Sequence, residues 1–535
     1  MSEFASQVLV RLDPQARESL QSQLCASLRR AIRDGVLRPN TRLPSSRALA
    51  TDMRISRTTA VLAFDQLAAE GVVESRTGSG TFVTGHLPAE RERPTPRDIP
   101  VPHPPLSRRG SALALTPRAS TKVEGPPPPF RLGTPALDRV PLAAWTRLAA
   151  RRLRSLTMAQ LDYGDPGGWA PLRRAIAEHA RRVRGAACTP DQVIVVSGAQ
   201  HGLELVCRVL LDPGDAAWLE EPGYTGARAA LVAAGARIAS IPVTDEGIDV
   251  KAGNRRAPRA RLAYVTPSHQ FPLGVAMSLP RRLELLAWAR RAGAWIVEDD
   301  YDCGFHYGSR PIPCLQGLDP DGRVIYVGSF SKSLFPALRL GYVIVPADLA
   351  PAFVGAHRAS DVHTPLLEQA VLADFMSDGS FERHLRRMRG EYRRRLAALT
   401  EAAARHARDL LTLRPVTTGL HAVADLHGGL DDEAVCREAR ARGVEVMPLS
   451  FYAFDQRRRP ARGLVLGFAA VPGHLFDAAM VKLAAAIRAV ARHDPLPGLG
   501  DAANRRGVDP AGVADQTPIP VERRFVRTAR NARQR

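Results

Sequence analysis

Hydrophobic positions first fall into helical spacing between residues 18 and 70. Leu20, Leu24, Leu28 and Ile32 recur every four residues, one stripe of a helix, and Gly35 marks a stop. Ser45 or Ser46 is placed to cap a short second helix carrying Ala48, Leu49 and Met53. After a turn at Arg54-Ile55, Ser56 caps a third helix with Ala60, Phe64 and Leu67 inward and Gly71 ending it. Val72–Glu74 and Thr81–Thr84 then read as strands, joined through Arg76-Thr77-Gly78-Ser79-Gly80 as a hairpin. Residues 15–85 are expected to form one small α+β unit.

The pattern then breaks. Residues 86–129 are crowded with proline, ending in Pro126-Pro127-Pro128-Pro129, and read as an extended linker. From 130 to 492 short apolar runs alternate with amphipathic helices. Gln192–Val196, Ala216–Glu220, Arg261–Thr266, Trp295–Glu298, Val324–Val327 and Gly341–Val345 are of buried-strand type, which predicts a largely parallel α/β sheet. Residues 380–410 predict one long helix, and the stretch to 490 an α+β subdomain. The arginine-rich tail, 495–535, has too few apolar residues for a core and reads as a solvated polyanion-binding segment.

Composition adds a partner. Apolar residues at 45% and charged residues at 24% are ordinary globular usage, but a net charge of +20 attracts polyanions through counterion release. Nearly all of that charge is arginine, since lysine occurs only at 122, 251, 332 and 482, so compositional bias alone could produce it. No apolar run is long enough to span a bilayer, and the N-terminus lacks a basic region followed by an apolar core. The six cysteines form no Cys-x-x-Cys pair, so neither a disulfide framework nor a zinc site is expected. A cytoplasmic setting and no metal are the expectations.

A helix-turn-helix presents the start of its last helix to the major groove. Here that start is Ser56, Arg57, Thr58 and Thr59, short hydroxyls for phosphates or base edges and an arginine suited to guanine. Arg47 can hold the DNA backbone, and Arg76 with Gly78 at the hairpin tip can form a wing reaching the minor groove. Arg42-Leu43-Pro44-Ser45-Ser46-Arg47, Ser56-Arg57-Thr58-Thr59 and Gly78-Ser79-Gly80-Thr81-Phe82-Val83 together resemble the GntR-type winged helix, which implies binding of double-stranded operator DNA.

Four segments of the large region carry a second chemistry. Gly328-Ser329-Phe330-Ser331-Lys332 continues to Arg339: a lysine amine for an aldehyde, with hydroxyls and an arginine for a phosphate. Glu298-Asp299-Asp300-Tyr301 ends an apolar strand. Asp299 is suited to a pyridine nitrogen and Tyr301 to a phenolic oxygen, although a cluster of acids at a strand end also suits magnesium. Ser197-Gly198-Ala199-Gln200 opens a helix whose Ala199 and Gln200 N–H groups can take a phosphate. Tyr224, in Glu221-Pro222-Gly223-Tyr224, can stack on an aromatic ring. These needs are those of pyridoxal 5′-phosphate, and the segments resemble the α/β fold-type-I PLP-dependent aminotransferases.

With the N-terminal winged helix, and with Tyr163-Gly164-Asp165-Pro166 and Thr266-Pro267-Ser268-His269-Gln270-Phe271-Pro272, the chain resembles the MocR family of regulators, with its GabR-like and PdxR-like members. The resemblance implies a class I aminotransferase-like domain with Lys332 as the Schiff-base lysine, Asp299 and Tyr301 at the ring, and Arg339 at the phosphate. It implies a head-to-tail homodimer, each winged helix against the partner's large domain, and Tyr163 reaching the partner's phosphate. Two departures bear on the effector. Phe451 follows Met447-Pro448-Leu449-Ser450, and Gly226 and Ala227 stand where a second carboxylate-binding arginine would be sought. Arg228, His421 and Arg462 are the candidate substitutes. The expected function is a transcriptional regulator whose DNA binding responds to PLP or to an amine condensing with it. A working aminotransferase with an accessory DNA-binding domain is the alternative.

Overall fold

The computed structural model describes residues 12–16, 18–76, 78–85, 106–114, 116, 125–302, 304–308, 312–455 and 462–493. It divides into two compact units, residues 1–105 and 106–535. The basic tail and most of the proline-rich linker lie outside the described residues.

In the first unit, α1 (Leu20–Arg33), α2 (Ser46–Met53) and α3 (Arg57–Ala69) are followed by the hairpin β1 (Val73–Arg76) and β2 (Gly80–Val83). The expected caps are present. Ser45 Oγ accepts the Ala48 N–H at 3.2 Å and Ser56 Oγ that of Thr59 at 3.0 Å. Leu24, Leu28, Ile32, Leu49, Ala60, Phe64, Leu67, Val73 and Val83 close one core. Arg29 pairs with Glu70 and ties α1 to the end of α3, with Nε···Oε2 at 2.7 Å.

The second unit is built on an eight-stranded sheet of β3 (Val193–Val196), β4 (Ala216–Glu221), β5 (Arg237–Thr244), β6 (Gly247–Ile248), β7 (Leu262–Val265), β8 (Trp295–Asp300), β9 (Val324–Ser329) and β10 (Gly341–Ile344). Its order is β3-β10-β9-β8-β7-β4-β5-β6. The six expected strands form. The edge hairpin β5–β6 escapes the apolar-run pattern because β5 is only half-buried and holds Pro242, which edge strands tolerate. β4, β5, β7, β8 and β9 run parallel, whereas β10 is antiparallel to both β9 and β3. Two apolar layers cover the sheet, one containing Leu203, Val206 and Leu231 and the other Trp218, Leu285 and Trp288. The flanking helices include α4 (Ala170–Arg184), α5 (Ala199–Leu210), α6 (Thr225–Ala233), α7 (Leu279–Ala292) and α8 (Ala350–Asp361).

The expected long helix is α9 (Ser380–His406). A smaller antiparallel sheet of β11 (Leu411–Leu413), β12 (His421–Leu426), β13 (Met447–Pro448) and β14 (Leu464–Gly467) follows, in the order β11-β12-β14-β13. Buried Phe130 stacks on Phe476 at 5.7 Å, and its carbonyl accepts the Gly467 N–H at 2.9 Å, so the chain leaving the linker is pinned to this subdomain. Arg108–Ala114, inside the expected linker, is helical. Ser107 Oγ caps it at the Gly110 N–H, and Arg109 reaches the Ala233 carbonyl at 3.3 Å.

Candidate cofactor cavity and nucleic-acid interface

The parallel strands deliver their C-terminal ends to one edge of the sheet, where open α/β sheets hold ligands. Asp299 and Asp300 end β8, Ser329 ends β9, and Ser197-Gly198 follows β3. The reversed β10 adds its N-terminal end to the same edge, which brings in Arg339. A cavity of about 460 Å³ opens there. Lys332, Asp299, Tyr301, Ser329, Ser331, Arg339, Ala199, Gln200 and Tyr224 all line it. These candidates span residues 199 to 339, and the sheet brings them to one place.

The Lys332 amine donates to the carbonyl of Gly133, a residue held close by the Phe130 anchor. Burial pulls the amine below the usual lysine range, against Asp302 and Asp299, which raise it. A lysine so placed has more of the neutral, nucleophilic amine. Asp299 accepts from the Tyr264 hydroxyl at 2.8 Å on one oxygen. Its other oxygen, Oδ1, is buried with no hydrogen-bond partner among the described residues. Burial raises the Asp299 carboxyl to about 7; the Tyr264 hydrogen bond lowers it, and Asp300 and Asp302 add to the rise.

The acids at the end of β8 do not converge on a common point. Asp300 goes to Arg184 at 2.6 Å, Asp302 to His269 at 2.7 Å and Asp299 to Tyr264. Three separate partners fit three separate structural roles better than one magnesium site. Tyr301 reaches the cavity, but its hydroxyl lies 2.9 Å from His269 Nδ1 and 3.1 Å from the His269 carbonyl.

On the phosphate side, Arg339 has a left-handed backbone (φ 54°) and donates to the Ser197 carbonyl at 2.7 Å. Gly198, at φ 90°, is required there twice over: a Cβ would meet the Arg339 guanidinium at 3.2 Å, and the backbone angle favours glycine. Ser329 Oγ accepts the Ser331 N–H at 3.1 Å. Tyr163 does not line the cavity of its own chain. It is 81% exposed, with its ring edge-on to His363.

The candidate carboxylate-binding residues separate. Only His421 lines the cavity. Its Nε2 lies 3.0 Å from the Pro272 carbonyl, and burial, with His269 adding, lowers it to about 3. Arg228 sits over the Phe454 ring, and Arg462 donates to the Gly429 carbonyl at 3.1 Å. Position 226 has no room for an arginine, because a Cβ there would lie 2.4 Å from Tyr224.

Sequence reasoning missed Tyr264, Gly133, Phe271 and Tyr452. Gly133 stands 199 residues before Lys332, and no local pattern joins them. Phe271 lies in a segment already singled out above, without a role. Tyr452 directly follows Phe451, and its aromatic side chain was the available signal.

In the winged unit, Arg47, Ser56, Arg57 and Thr58 are exposed and Thr59 is half-buried. The Ser56 and Thr59 hydroxyls bond each other at 2.8 Å, so the cap and the outward face share them. Arg76 does not extend from the hairpin. It is held by Glu74 at 2.8 Å and Asn40 at 3.1 Å and lies over the Phe82 ring, while Gly78 stays exposed at the tip; Thr77 falls outside the described residues. No described helix is long and apolar enough to cross a membrane.

Residues 20–83 match the family of bacterial regulatory proteins called gntR, and residues 131–461 match aminotransferase class I and II. The chain is 40% identical to a probable rhizopine catabolism regulatory protein, MocR, of Rhizobium meliloti, over 91% of this chain and 97% of that protein. It is 32% identical to the pyridoxine biosynthesis transcriptional regulator PdxR of Corynebacterium glutamicum, over 83% and 91%. Among solved structures it resembles LysN, an α-aminoadipate aminotransferase of Thermus thermophilus complexed with N-(5′-phosphopyridoxyl)-L-leucine. The identity is 30% and the TM-score 0.63, over 68% of this chain and 93% of that one.

Proposed function

The chain belongs to the MocR-type transcriptional regulators, a GntR helix-turn-helix joined to an aminotransferase-like domain, and we propose that its operator binding is set by what occupies the cavity around Lys332. The aminotransferase fold family is PLP-dependent, and the cavity suits that cofactor. The observation that carries the reading is Asp299 Oδ1, a buried carboxylate oxygen with no donor among the described residues, facing the same cavity as Lys332. A buried acceptor left unmet costs about 1–3 kcal/mol, and a protonated pyridine nitrogen would meet it. The second support is that Arg339, Ser329, Ser331, Ala199 and Gln200, a set suited to a phosphate, line that same cavity.

Lys332 would hold the cofactor covalently, and Asp299 would keep its ring nitrogen protonated. Arg339, Ser329, Ser331 and the Ala199 and Gln200 N–H groups would hold its phosphate, with Tyr224 against the ring and Tyr301 at its oxygen. When bound, the group supplies an aldehyde and an electron sink for an amine. Tyr264 fixes the Asp299 carboxylate from behind, and His269 with Asp302 fixes Tyr301. We further infer a homodimer in which exposed Tyr163 serves the partner's site, a cytoplasmic location, and an effector that is PLP itself or an amine. Occupancy can alter DNA binding only if two arrangements of the protein differ in affinity for both ligand and operator.

Turnover as an ordinary amino-acid transaminase is less well supported. Of the two arginines lining the cavity among the described residues, Arg339 is assigned to the phosphate and Arg131 lies 3.8 Å from Glu445, so neither is left for a substrate carboxylate. The test is a fluorescence-anisotropy titration of the full chain against its upstream intergenic DNA, with and without PLP at fixed salt. A competitor-resistant affinity that shifts with PLP is the expected result. Absence of specific binding in both states would overturn the regulatory reading.

A further inference from the structure

Arg339 also borders, with Arg208, a second and more open pocket of about 370 Å³. Helix α5 contributes His201 to it. The last turns of α8 bring His357 and Asp361 alongside, and the two imidazole rings lie 5.0 Å apart. His357 is fully buried, and its Nδ1 sits 2.6 Å from the Pro166 carbonyl. A carbonyl only accepts, so Nδ1 carries a proton and, in the neutral ring, Nε2 is left as a bare lone pair. That Nε2 is buried and has no hydrogen-bond partner among the described residues.

What it faces is another acceptor. Asp361 Oδ2 lies 3.8 Å from His357 Nε2 and 3.7 Å from His201 Nδ1, and it already accepts the Ser197 hydroxyl at 2.8 Å. His201 Nδ1 in turn accepts the Ser197 N–H at 3.2 Å, so it too is unprotonated. With both imidazoles neutral, three lone-pair atoms lie within 4.8 Å of one another and neither ring places a hydrogen between them. What that arrangement lacks is a cation.

We propose that His201, His357 and Asp361 form a binding site for a divalent transition-metal ion of the zinc, cobalt and nickel class. Two imidazoles and one carboxylate suit those ions and not calcium or magnesium, which take oxygen. The backbone carbonyl on the far nitrogen of His357 is the usual outer partner of a metal-bound histidine, fixing both tautomer and ring orientation. Bonds of about 2.0–2.2 Å put tetrahedral ligands roughly 3.4 Å apart; the two contacts to Asp361 need close by only a few tenths of an ångström, and the two imidazole nitrogens, within 4.8 Å of each other, by at most about 1.4 Å. His201 would exchange its long bond to Ser197 for the ion. Three protein ligands leave a further position open toward the pocket for water. Ser197 joins this site to the cofactor cavity, since its hydroxyl is on Asp361 and its carbonyl on Arg339.

The test uses the full, tag-free chain after chelator treatment, titrated with Co²⁺ in equilibrium dialysis and followed by the visible ligand-field spectrum. One ion per chain is expected, with His201→Gln weakening binding by roughly 100-fold or more and Asp361→Asn acting in the same direction. His357→Gln should do likewise. Because that residue is buried and its replacement can impair folding, the half-exposed His201 carries the test alone, with circular dichroism as the fold control. Wild-type chain that retains no Co²⁺ or Zn²⁺ would overturn the site, as would a His201→Gln variant with unchanged stoichiometry and spectrum.

Discussion

In the winged unit Ser56, Arg57 and Thr58 stand in solvent at the start of α3, while in the large unit Asp299 is buried and Lys332 lines a cavity at the strand ends. The first group lies on the surface of a helix that an apolar stripe already stabilises. The second lies among buried acids, with Asp299 in the cavity and Glu298 and Glu220 outside it each raised to about 7, chiefly by burial. Exposed groups can be changed with little cost to the fold. Buried polar groups cannot, because water no longer solvates them. The recognition surface is therefore separable from its scaffold, and the cavity is a source of strain that a ligand can relieve.

The largest effect that would sharpen this contrast is all-or-none. Lys332→Ala should abolish the pyridoxyl adduct trapped by borohydride and located by peptide mapping, and leave specific DNA binding by the winged unit in place. Full response of that variant's DNA affinity to PLP would show that the covalent bond is not the switch. Next, Arg57→Ala should weaken specific DNA binding by about 1–3 kcal/mol, roughly 5- to 150-fold in anisotropy, with the visible cofactor band unchanged.

A third effect runs in the opposite direction. A carboxyl raised to about 7 contributes stability that is full below its ordinary value near 4 and is lost as pH rises through 7. His421 and His384, lowered to about 3 and about 4, contribute stability present above 6.5 and lost only as pH falls toward those values. Between pH 6.5 and 8 these two histidines no longer change and the raised carboxyls lose stability as pH rises, against the lowered Lys332 amine, which acts in the opposite sense. Asp299→Asn should then stabilise it at pH 8 by about 1–3 kcal/mol in denaturant unfolding, while weakening the hold on PLP. An Asp299→Asn chain whose stability changes between pH 6.5 and 8 just as the wild type's does would break the contrast. The smallest effect belongs to the cap: Ser56→Ala should cost the winged unit about 1 kcal/mol, seen as a lower Tm, and leave the cofactor band untouched.

Legibility followed the same division. In the winged unit, caps, turns and apolar spacing are local, and Ser45, Ser56, Gly35 and Gly71 end their helices within a residue or two of where the pattern puts them. The contacts of Arg76 with Glu74, Asn40 and Phe82 were not readable from the hairpin alone. In the large unit the motif residues were readable because each sits at a strand end. Their supports were not: Tyr264 behind Asp299, Gly133 at Lys332 and Asp302 on His269 come from other elements.

Periodicity and motif spacing by themselves determined the two units, six of the eight strands of the central sheet and the lysine, carboxylate and arginine at its edge. These are properties of neighbouring residues, carried by hydrogen bonds and apolar stripes of short range. Only the tertiary structure decided that Arg228 and Arg462 stand apart from the cavity while His421 enters it, and that His201 meets His357 and Asp361. Such encounters depend on sheet order and helix packing between segments more than 100 residues apart, and no local pattern encodes that distance.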